Sequence, residues 1–206
     1  MNEIVESLQP RFAGIKPRES SDHPAIQCPV GFILPLIECL RDEFDYKLLS
    51  DVTAVDWGEE ESPRFSVVYH IFSIKAAAHI RIVADCEDDE NPSVPSIVSL
   101  FPAANWHERE TYDMFGIRFE GHPDLRRILM WDEYPYYPLR KEFPLAGIET
   151  ELPDAEIAEE TRAKVLAAPM MGGPFVAKEG EPMSRSEPRA KDQSWTEWSK
   201  KTLEEE

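Results

Sequence analysis

Apolar residues recur at helical spacing twice within the first 44 residues. The first set predicts a short amphipathic helix that contains Ile4, Val5 and Leu8 and stops at Pro10. The second predicts a helix from Gly31 to Phe44 with Pro35 in its first turn. Its apolar residues follow the i, i+3, i+4, i+7 pattern: Ile33, Leu34, Ile37, Leu40 and Phe44. Between the two helices, the pattern predicts a loop over Lys16–Pro24 and a brief strand over Ala25–Cys28.

Three β-branched, alternating segments follow in close order. They predict strands over Leu48–Trp57, Phe65–Ile74 and Ala77–Asp85. The connections between them are short enough for hairpins, which favours an antiparallel meander. We therefore expect an α+β fold with a small, mainly antiparallel sheet and helices on one face.

Further along, the segment Ser93–Leu100 predicts a short helix, and a longer one is expected over Trp106–Phe115. Asn105 suits the N-cap of that longer helix, with Glu108 three positions on to reinforce it. Gly116 suits the residue that ends it.

The chain changes character after Leu145. Residues 149–206 hold few aliphatic side chains, although 156–168 has helical composition. Such a segment cannot offset its own ordering entropy, yet it carries large apolar side chains. They are Met170, Met171, Phe175, Trp195 and Trp198. We predict a domain over 1–148 and an extended C-terminal arm over 149–206 that wraps a partner; plain disorder is the alternative.

Charge and cysteine content narrow the function. Forty acidic against 22 basic residues give a net charge of −18, which argues against nucleic acid and against charge-driven docking on anionic lipid. The three cysteines, Cys28, Cys39 and Cys86, have no paired spacing, so neither an iron–sulfur cluster nor a structural zinc site is expected. No signal peptide and no membrane span are predicted.

The stretch Asn105–Leu145 mixes aromatic residues with both signs of charge and is either an active site or a contact surface. His107-Glu108 begins a zinc-protease pattern, but position 111 is Thr, so a metal site is not expected. Glu108, Glu110 and Asp113 resemble an acid/base set. Helical spacing, however, places Arg109 one turn before Asp113 and predicts a structural ion pair.

The remaining polar residues of this stretch also lack a nucleophile beside them. His122 and Pro123 form a turn, in which the histidine is expected to be a hydrogen-bonding strut. Arg126, Arg127, Arg140 and Lys141 are expected to pair with carboxylates of this stretch or of a partner. No role is assigned to His23, His70 or His79. The residues alone predict a domain without a catalytic set; a free-standing enzyme that uses Glu110, Asp113 or His122 is the rival hypothesis.

A family resemblance adds the function. Residues 108–117, ERETYDMFGI, resemble the signature of the 30 kDa subunit family of respiratory complex I, the proton-pumping NADH:quinone oxidoreductase. Phe119, His122-Pro123, Leu125-Arg126 and Ile128-Leu129 continue the match, and so do Pro138–Lys141 and Phe143–Leu145. The chain departs from the family pattern in two places: Tyr136-Tyr137 stand in place of Gly-His, and Glu142 stands in place of Asp.

The resemblance implies a subunit of the peripheral arm that binds no flavin, cluster or quinone itself, although it belongs to an enzyme complex. It implies packing against the quinone-site subunit, on the cytoplasmic side of a bacterial inner membrane. An equivalent subunit of a membrane-bound hydrogenase or of a plastoquinone-reducing complex is the alternative. The residues expected to carry structural or interface roles are Arg109, Glu110, Tyr112, Asp113, Phe115, Gly116, His122, Pro123, Arg126, Arg127, Arg140 and Lys141.

Overall fold

The computed structural model describes residues 3–144, 147–148, 150–162 and 164–165. The chain divides into two units, Met1–Phe143 and Pro144–Glu206. The helices of the first unit are α1 (Glu3–Leu8), α2 (Ile33–Asp42) and α3 (Ala104–Phe115). Its strands are β1 (Lys16–Arg18), β2 (Ala25–Gln27), β3 (Leu48–Asp56), β4 (Phe65–Ser73), β5 (Ala78–Asp85), β6 (Ser93–Pro95) and β7 (Arg118–Glu120).

Five strands form the main sheet in the order β1-β2-β5-β4-β3. β3, β4 and β5 make the predicted antiparallel meander, and only β2 pairs in parallel, with β5. The other pair in this unit, β6 with β7, is also parallel. The α+β class and the three long strands are confirmed.

The core lies on one face of the sheet. Alternate residues of β4 (Phe65, Val67, Tyr69 and Ile71) join a single buried cluster with residues of all three helices. This is the arrangement that period-two alternation in the strands and helical spacing in α1 and α2 predict. Helices on one face of the sheet are therefore confirmed.

Three local predictions are wrong. Ser93–Leu100 is not a helix: the first three residues form β6, and a backbone turn closes from Phe101 N to Ile97 O. Asn105 is not the N-cap, because α3 begins at Ala104 and Ala103 caps it without a side-chain hydrogen bond. The predicted loop from Lys16 contains strand β1. β1 and β6 are strands because they pair with β2 and β7, and a local sequence pattern does not report such pairing.

The described part of the second unit is a short antiparallel pair with a helix between its strands. β8 (Thr150–Glu151) pairs with β9 (Lys164–Val165), and α4 spans Ala155–Thr161. Asp154 caps α4 by accepting hydrogen bonds from the Glu156 and Ile157 backbone N–H groups. The large apolar residues of the arm, from Met170 onward, lie outside the described residues. The predicted boundary at 148/149 and the predicted role of the arm remain predictions.

Candidate functional site

α3 is fixed along the edge of the main sheet. The hydroxyl of Thr111 lies 3.2 Å from the Val52 carbonyl of β3 and 2.8 Å from the His107 carbonyl, and it can donate to either. The helix ends at Gly116, whose φ of 77° is the left-handed conformation that glycine adopts without strain. A carbonyl of an edge strand is thus covered by a helix and not left open to another chain.

Asp113 organises the loop that follows α3. Its Oδ1 accepts from Arg127 at 2.6 Å, and its Oδ2 accepts from the backbone N–H groups of Ile128, Leu129 and Met130 at 2.9, 2.7 and 2.9 Å. Burial alone would raise the pKa of this fully buried carboxyl, but the three N–H groups and Arg127 together lower it. Asp113 is therefore a carboxylate that holds a loop, the opposite of a general acid.

The predicted Arg109–Asp113 ion pair is wrong. Arg109 instead donates to two loop carbonyls, from Nε to Arg126 O at 3.2 Å and from Nη2 to Arg127 O at 3.1 Å. Its guanidinium also lies 5.3 Å from the ring centroid of Trp106. The carboxylate pairs instead with Arg127, which lies 14 residues further along the chain in the loop that covers this side of α3.

Arg127 ties together two parts of the loop. In addition to Asp113, it donates from Nη2 to the carbonyls of Tyr134 and Tyr136, at 2.6 and 3.2 Å. Its guanidinium lies over the rings of Tyr134 and Tyr137. One arginine with a largely covered side chain thus fixes α3, the turn after it and the tyrosine-rich segment in one arrangement.

Gly116 and Arg140 meet at the end of α3. Arg140 donates from Nε to the Phe115 carbonyl at 2.7 Å, and its guanidinium lies near the rings of Tyr137 and Phe65, at 4.6 and 5.1 Å from their centroids. A Cβ on Gly116 would come within 2.6 Å of Arg140 and 2.7 Å of Tyr137. Tyr137, which departs from the family pattern, is thus part of this packing.

Lys141 and Glu142 are attached to the hairpin between β3 and β4. Buried Asp56 accepts from the Lys141 backbone N–H at 2.8 Å, from the Gly58 N–H and from two nitrogens of Arg64. Burial opposes ionisation, yet these donors lower the pKa of Asp56 to about 2. Glu142, the other departure from the family pattern, accepts a hydrogen bond from Arg64.

Sequence reasoning misses Asp56 and Arg64 as residues of this site. The strand register pairs Asp56 with Phe65 at the end of β3, and the aspartate is buried there. Asp56 continues the alternation of Val52 and Ala54 on the buried face of β3, and this is the signal that points to it, because buried charges need partners.

His122 joins the loop to the start of α3. Its Nδ1 accepts from the Asp124 N–H at 3.0 Å, so Nε2 carries the proton and donates to the Asn105 carbonyl at 3.3 Å. Pro123 is exposed beside it, and Arg126 forms an exposed pair with Asp124. Of the other predicted residues, Glu110 is exposed, Tyr112 is half-buried and Phe115 is buried.

Glu108 is placed differently from the predicted capping role. It is fully buried, and its Oε1 accepts from the Ile97 N–H at 2.7 Å. Desolvation raises the pKa of this carboxyl to about 7. No sequence pattern signals this, because the partner lies in a segment whose pattern predicts a separate helix.

Within residues 3–144 and the shorter described ranges, no three His, Cys, Asp or Glu side chains form a group that could hold a metal ion. The helices of the described chain include none that is long and apolar enough to cross a membrane. Asp113, Asp56, Arg127 and Arg140 bind the protein's own backbone and side chains. The fold and this use of charge define an α+β domain whose buried charged residues stabilise a loop system.

Comparison with known proteins names the family. Residues 26–149 match the family described as the respiratory-chain NADH dehydrogenase, 30 Kd subunit. The chain belongs to this family, as its signature predicts, and is thus a subunit of a multi-subunit respiratory complex.

Three similar proteins illustrate the match. The NADH-quinone oxidoreductase C-subunit of Moorella thermoacetica is 41% identical over 70% of this chain and 96% of its own length. The NADH-quinone oxidoreductase C/D-subunit of Sulfurihydrogenibium sp. is 40% identical over 73% of this chain but only 26% of its own length. Among solved structures, a trypsin-resistant fragment of Nqo5 is 25% identical, with a TM-score of 0.51 over 60% of this chain and 98% of the fragment.

Proposed function

We propose that this chain is a non-catalytic structural subunit of the peripheral arm of a proton-translocating NADH:quinone oxidoreductase. The observation that carries the proposal is that the charged signature residues Asp113, Arg127 and Arg140 bind groups of the protein itself. Asp113 accepts four hydrogen bonds from its own loop, so it has no capacity left for a substrate. Flavin and iron–sulfur clusters would then be carried by partner subunits.

The chain's surface supports a contact role for the same stretch. Trp106, Leu129 and Leu139 are 62%, 58% and 54% exposed. Arg109 stacks on Trp106 and bonds to the loop that leads to Leu129, so two of these side chains are presented from a fixed base. Large apolar side chains on a rigid support are typical of protein contact surfaces.

We propose that the partner is the quinone-site subunit and that the chain lies peripherally on the cytoplasmic side of a bacterial inner membrane. The C/D-subunit of Sulfurihydrogenibium supports the proposal that this chain contacts a neighbouring subunit, because the region that matches this chain is only 26% of that longer polypeptide. Two regions joined in one polypeptide occur in equal numbers and stay close together, as subunits that contact each other must.

The test is a double variant, Trp106→Asp with Leu129→Asp, in the native complex. We expect the fraction of this chain that co-purifies with redox subunits to fall by at least about tenfold, since each buried apolar anchor is worth on the order of 1–2 kcal/mol or more. Turnover per assembled complex should be unchanged. The control is Ile74→Asp, because Ile74 is 75% exposed but lies at the β4–β5 hairpin.

Normal assembly with reduced turnover would contradict the proposal and favour the enzyme hypothesis. That hypothesis also requires activity in the isolated chain that Glu110→Gln removes while the fold is kept. Our proposal expects the isolated chain to oxidise no NADH.

A further inference from the structure

Two polar side-chain atoms in the core of the first unit have no hydrogen-bond partner: Oε2 of Glu108 and the hydroxyl of Tyr69. Both residues are fully buried. They belong to different elements, α3 and β4. Burial raises the pKa of the Tyr69 hydroxyl most, and Glu108 lies close enough that its negative charge would raise that pKa further. Unsatisfied buried polar atoms are rare and call for a physical account.

Glu108 links α3 to the turn that follows β6. Its Oε1 accepts the Ile97 N–H at 2.7 Å, and the adjacent Val98 N–H is held by the Ser96 hydroxyl at 3.2 Å. Through this carboxyl group the segment from Ser96 to Val98 is hydrogen-bonded to α3, while the Ser96 N–H bonds to the Glu120 carbonyl of β7 at 2.8 Å and the Ile97 side chain lies in the core. Neither the contact role proposed above nor the loop system around Asp113 uses this carboxyl group.

The surroundings of Glu108 do not balance a negative charge. In the described chain no Lys, Arg or His forms an ion pair with it, whereas Asp113 has Arg127 and three N–H groups. The groups around it are the Ser96 hydroxyl, the Ile97 N–H and Tyr69 on β4, and Tyr69 in turn lies near the Cys28 and Cys86 thiols. All are neutral, so ionisation would leave a charge in the core with only the Ser96 hydroxyl and the Ile97 N–H among the described residues to stabilise it.

We propose that Glu108 is a buried proton-binding group whose neutral form keeps the Ser96–Ile97 turn attached to α3 and whose ionised form releases it. The only covalent bond that breaks is the O–H bond on Oε2, and the proton goes to solvent water. The carboxylate that remains is better solvated when the turn opens. The site therefore couples the protonation state of the core to the attachment of one segment.

The direction of the pH effect follows from linkage. The pKa of Glu108 is about 7 in the folded state against 4.5 for the free side chain. The contribution of Glu108 to the free energy of unfolding is fully present below pH 4.5 and is lost as pH rises through about 7. His70 affects stability in the opposite direction. Burial, and to a lesser extent Arg81, lower its pKa, so its contribution to the free energy of unfolding is lost as pH falls below 6.5. A local measurement is needed because the two effects oppose each other in global stability.

The test is amide hydrogen exchange in the full-length chain between pH 5 and 8, corrected for intrinsic rates. Opening at the Ile97 amide should increase about tenfold per pH unit from pH 5 to 7 and then level off. The matched control is the Leu129 amide, which is also held by a carboxylate, Oδ2 of Asp113, at 2.7 Å. Because the pKa of Asp113 is lowered, opening at Leu129 should not change over this range.

Two variants complete the test. Glu108→Gln keeps an acceptor for the Ile97 N–H but cannot ionise, so it should make opening at Ile97 independent of pH. Glu110→Gln, which removes an exposed carboxylate from the same helix, should behave as the parent chain does. If Glu108→Gln does not fold, the infrared carbonyl band of a buried carboxylic acid in the parent chain should be present at pH 5 and absent at pH 8. A pH-independent Ile97 amide in the parent chain, or an ionised Glu108 at pH 5, would overturn the proposal.

Discussion

Two buried carboxyl groups on α3 show that residue type alone does not determine whether such a group is ionised. Asp113 and Glu108 lie on the same helix, and both are fully buried. Asp113 has Arg127 and three N–H groups, while Glu108 has one N–H group and the Ser96 hydroxyl. The pKa of Asp113 is lowered and that of Glu108 is raised, so the number of donors decides the state of each group.

The first prediction concerns the Asp113→Asn variant. It should lower the free energy of unfolding by about 3–5 kcal/mol, because the largely covered Arg127 side chain is left without its counter-charge. Chemical denaturation of the purified chain measures the change. The control is Asp124→Asn, whose pair with Arg126 is exposed and should contribute about 0–1 kcal/mol. Equal effects of the two substitutions would mean that Asp113 does not organise the loop.

The second prediction concerns Gly116→Ala, with Gly121→Ala as its control. Both glycines have positive φ, 77° and 80°, so each alanine costs about 1–2 kcal/mol in backbone strain. Only at Gly116 would the new Cβ also meet Arg140 and Tyr137, while Gly121 has open space. Gly116→Ala should therefore destabilise the fold by about 1–3 kcal/mol more than its control. Thermal unfolding of both variants measures the difference, and equal melting temperatures would contradict the proposed packing.

At the scale of elements, the long strands and α2 are predictable because their patterns repeat over eight to ten residues. Alternation in β4 also places its core face correctly. The segment after β5 is not predictable in the same way, because Ser93–Pro95 is a strand only by pairing with β7, some 25 residues later. The Arg109–Asp113 pair is wrong for a related reason: helical spacing reports which residues are neighbours but not which loop covers them.

The third prediction concerns the attachment of Lys141 and its neighbours to the β3–β4 hairpin. Donors from Arg64, Lys141 and Gly58 outweigh burial and lower the pKa of Asp56 to about 2 from 3.8. Its stabilisation is present above pH 3.8 and is lost as pH falls through about 2, amounting to about 2 kcal/mol. Hydrogen exchange at the Lys141 amide should therefore lose protection between pH 4 and 2.

The control for this prediction is Asp56→Asn, which retains an acceptor but cannot titrate. Its Lys141 amide should have a protection that is independent of pH over the same range, and lower than that of the parent chain at pH 5. Protection at Lys141 that does not change in the parent chain on acidification would show that another contact holds this segment.

At the scale of the whole molecule, composition and charge are informative about class and uninformative about geometry. The family follows from residues 108–129, because the signature is nearly contiguous. The roles of these residues do not follow from the signature, since Asp113, Arg127 and Arg140 each bond to at least one group that lies 14 to 25 positions away. Asp56 lies further still from Lys141, at a separation of 85 residues, so only the folded chain identifies it as part of the site.

The last prediction separates the stability of the first unit from the proposed role of the arm. Among the described residues, the members of the buried cluster lie between Val5 and Phe119, inside the first unit. A chain that ends at residue 148 should therefore keep its free energy of unfolding within about 0.5 kcal/mol of the full chain, the range of substitutions that touch no core contact. Its incorporation into the native complex should nevertheless fall by at least about tenfold if residues 149–206 wrap a partner. The control is a full-length chain with residues 149–206 shuffled, which keeps length and charge but loses the spacing of the apolar side chains. If the truncated chain assembles as well as the full chain, the arm has no such role, and if the shuffled chain does, charge alone explains the contact.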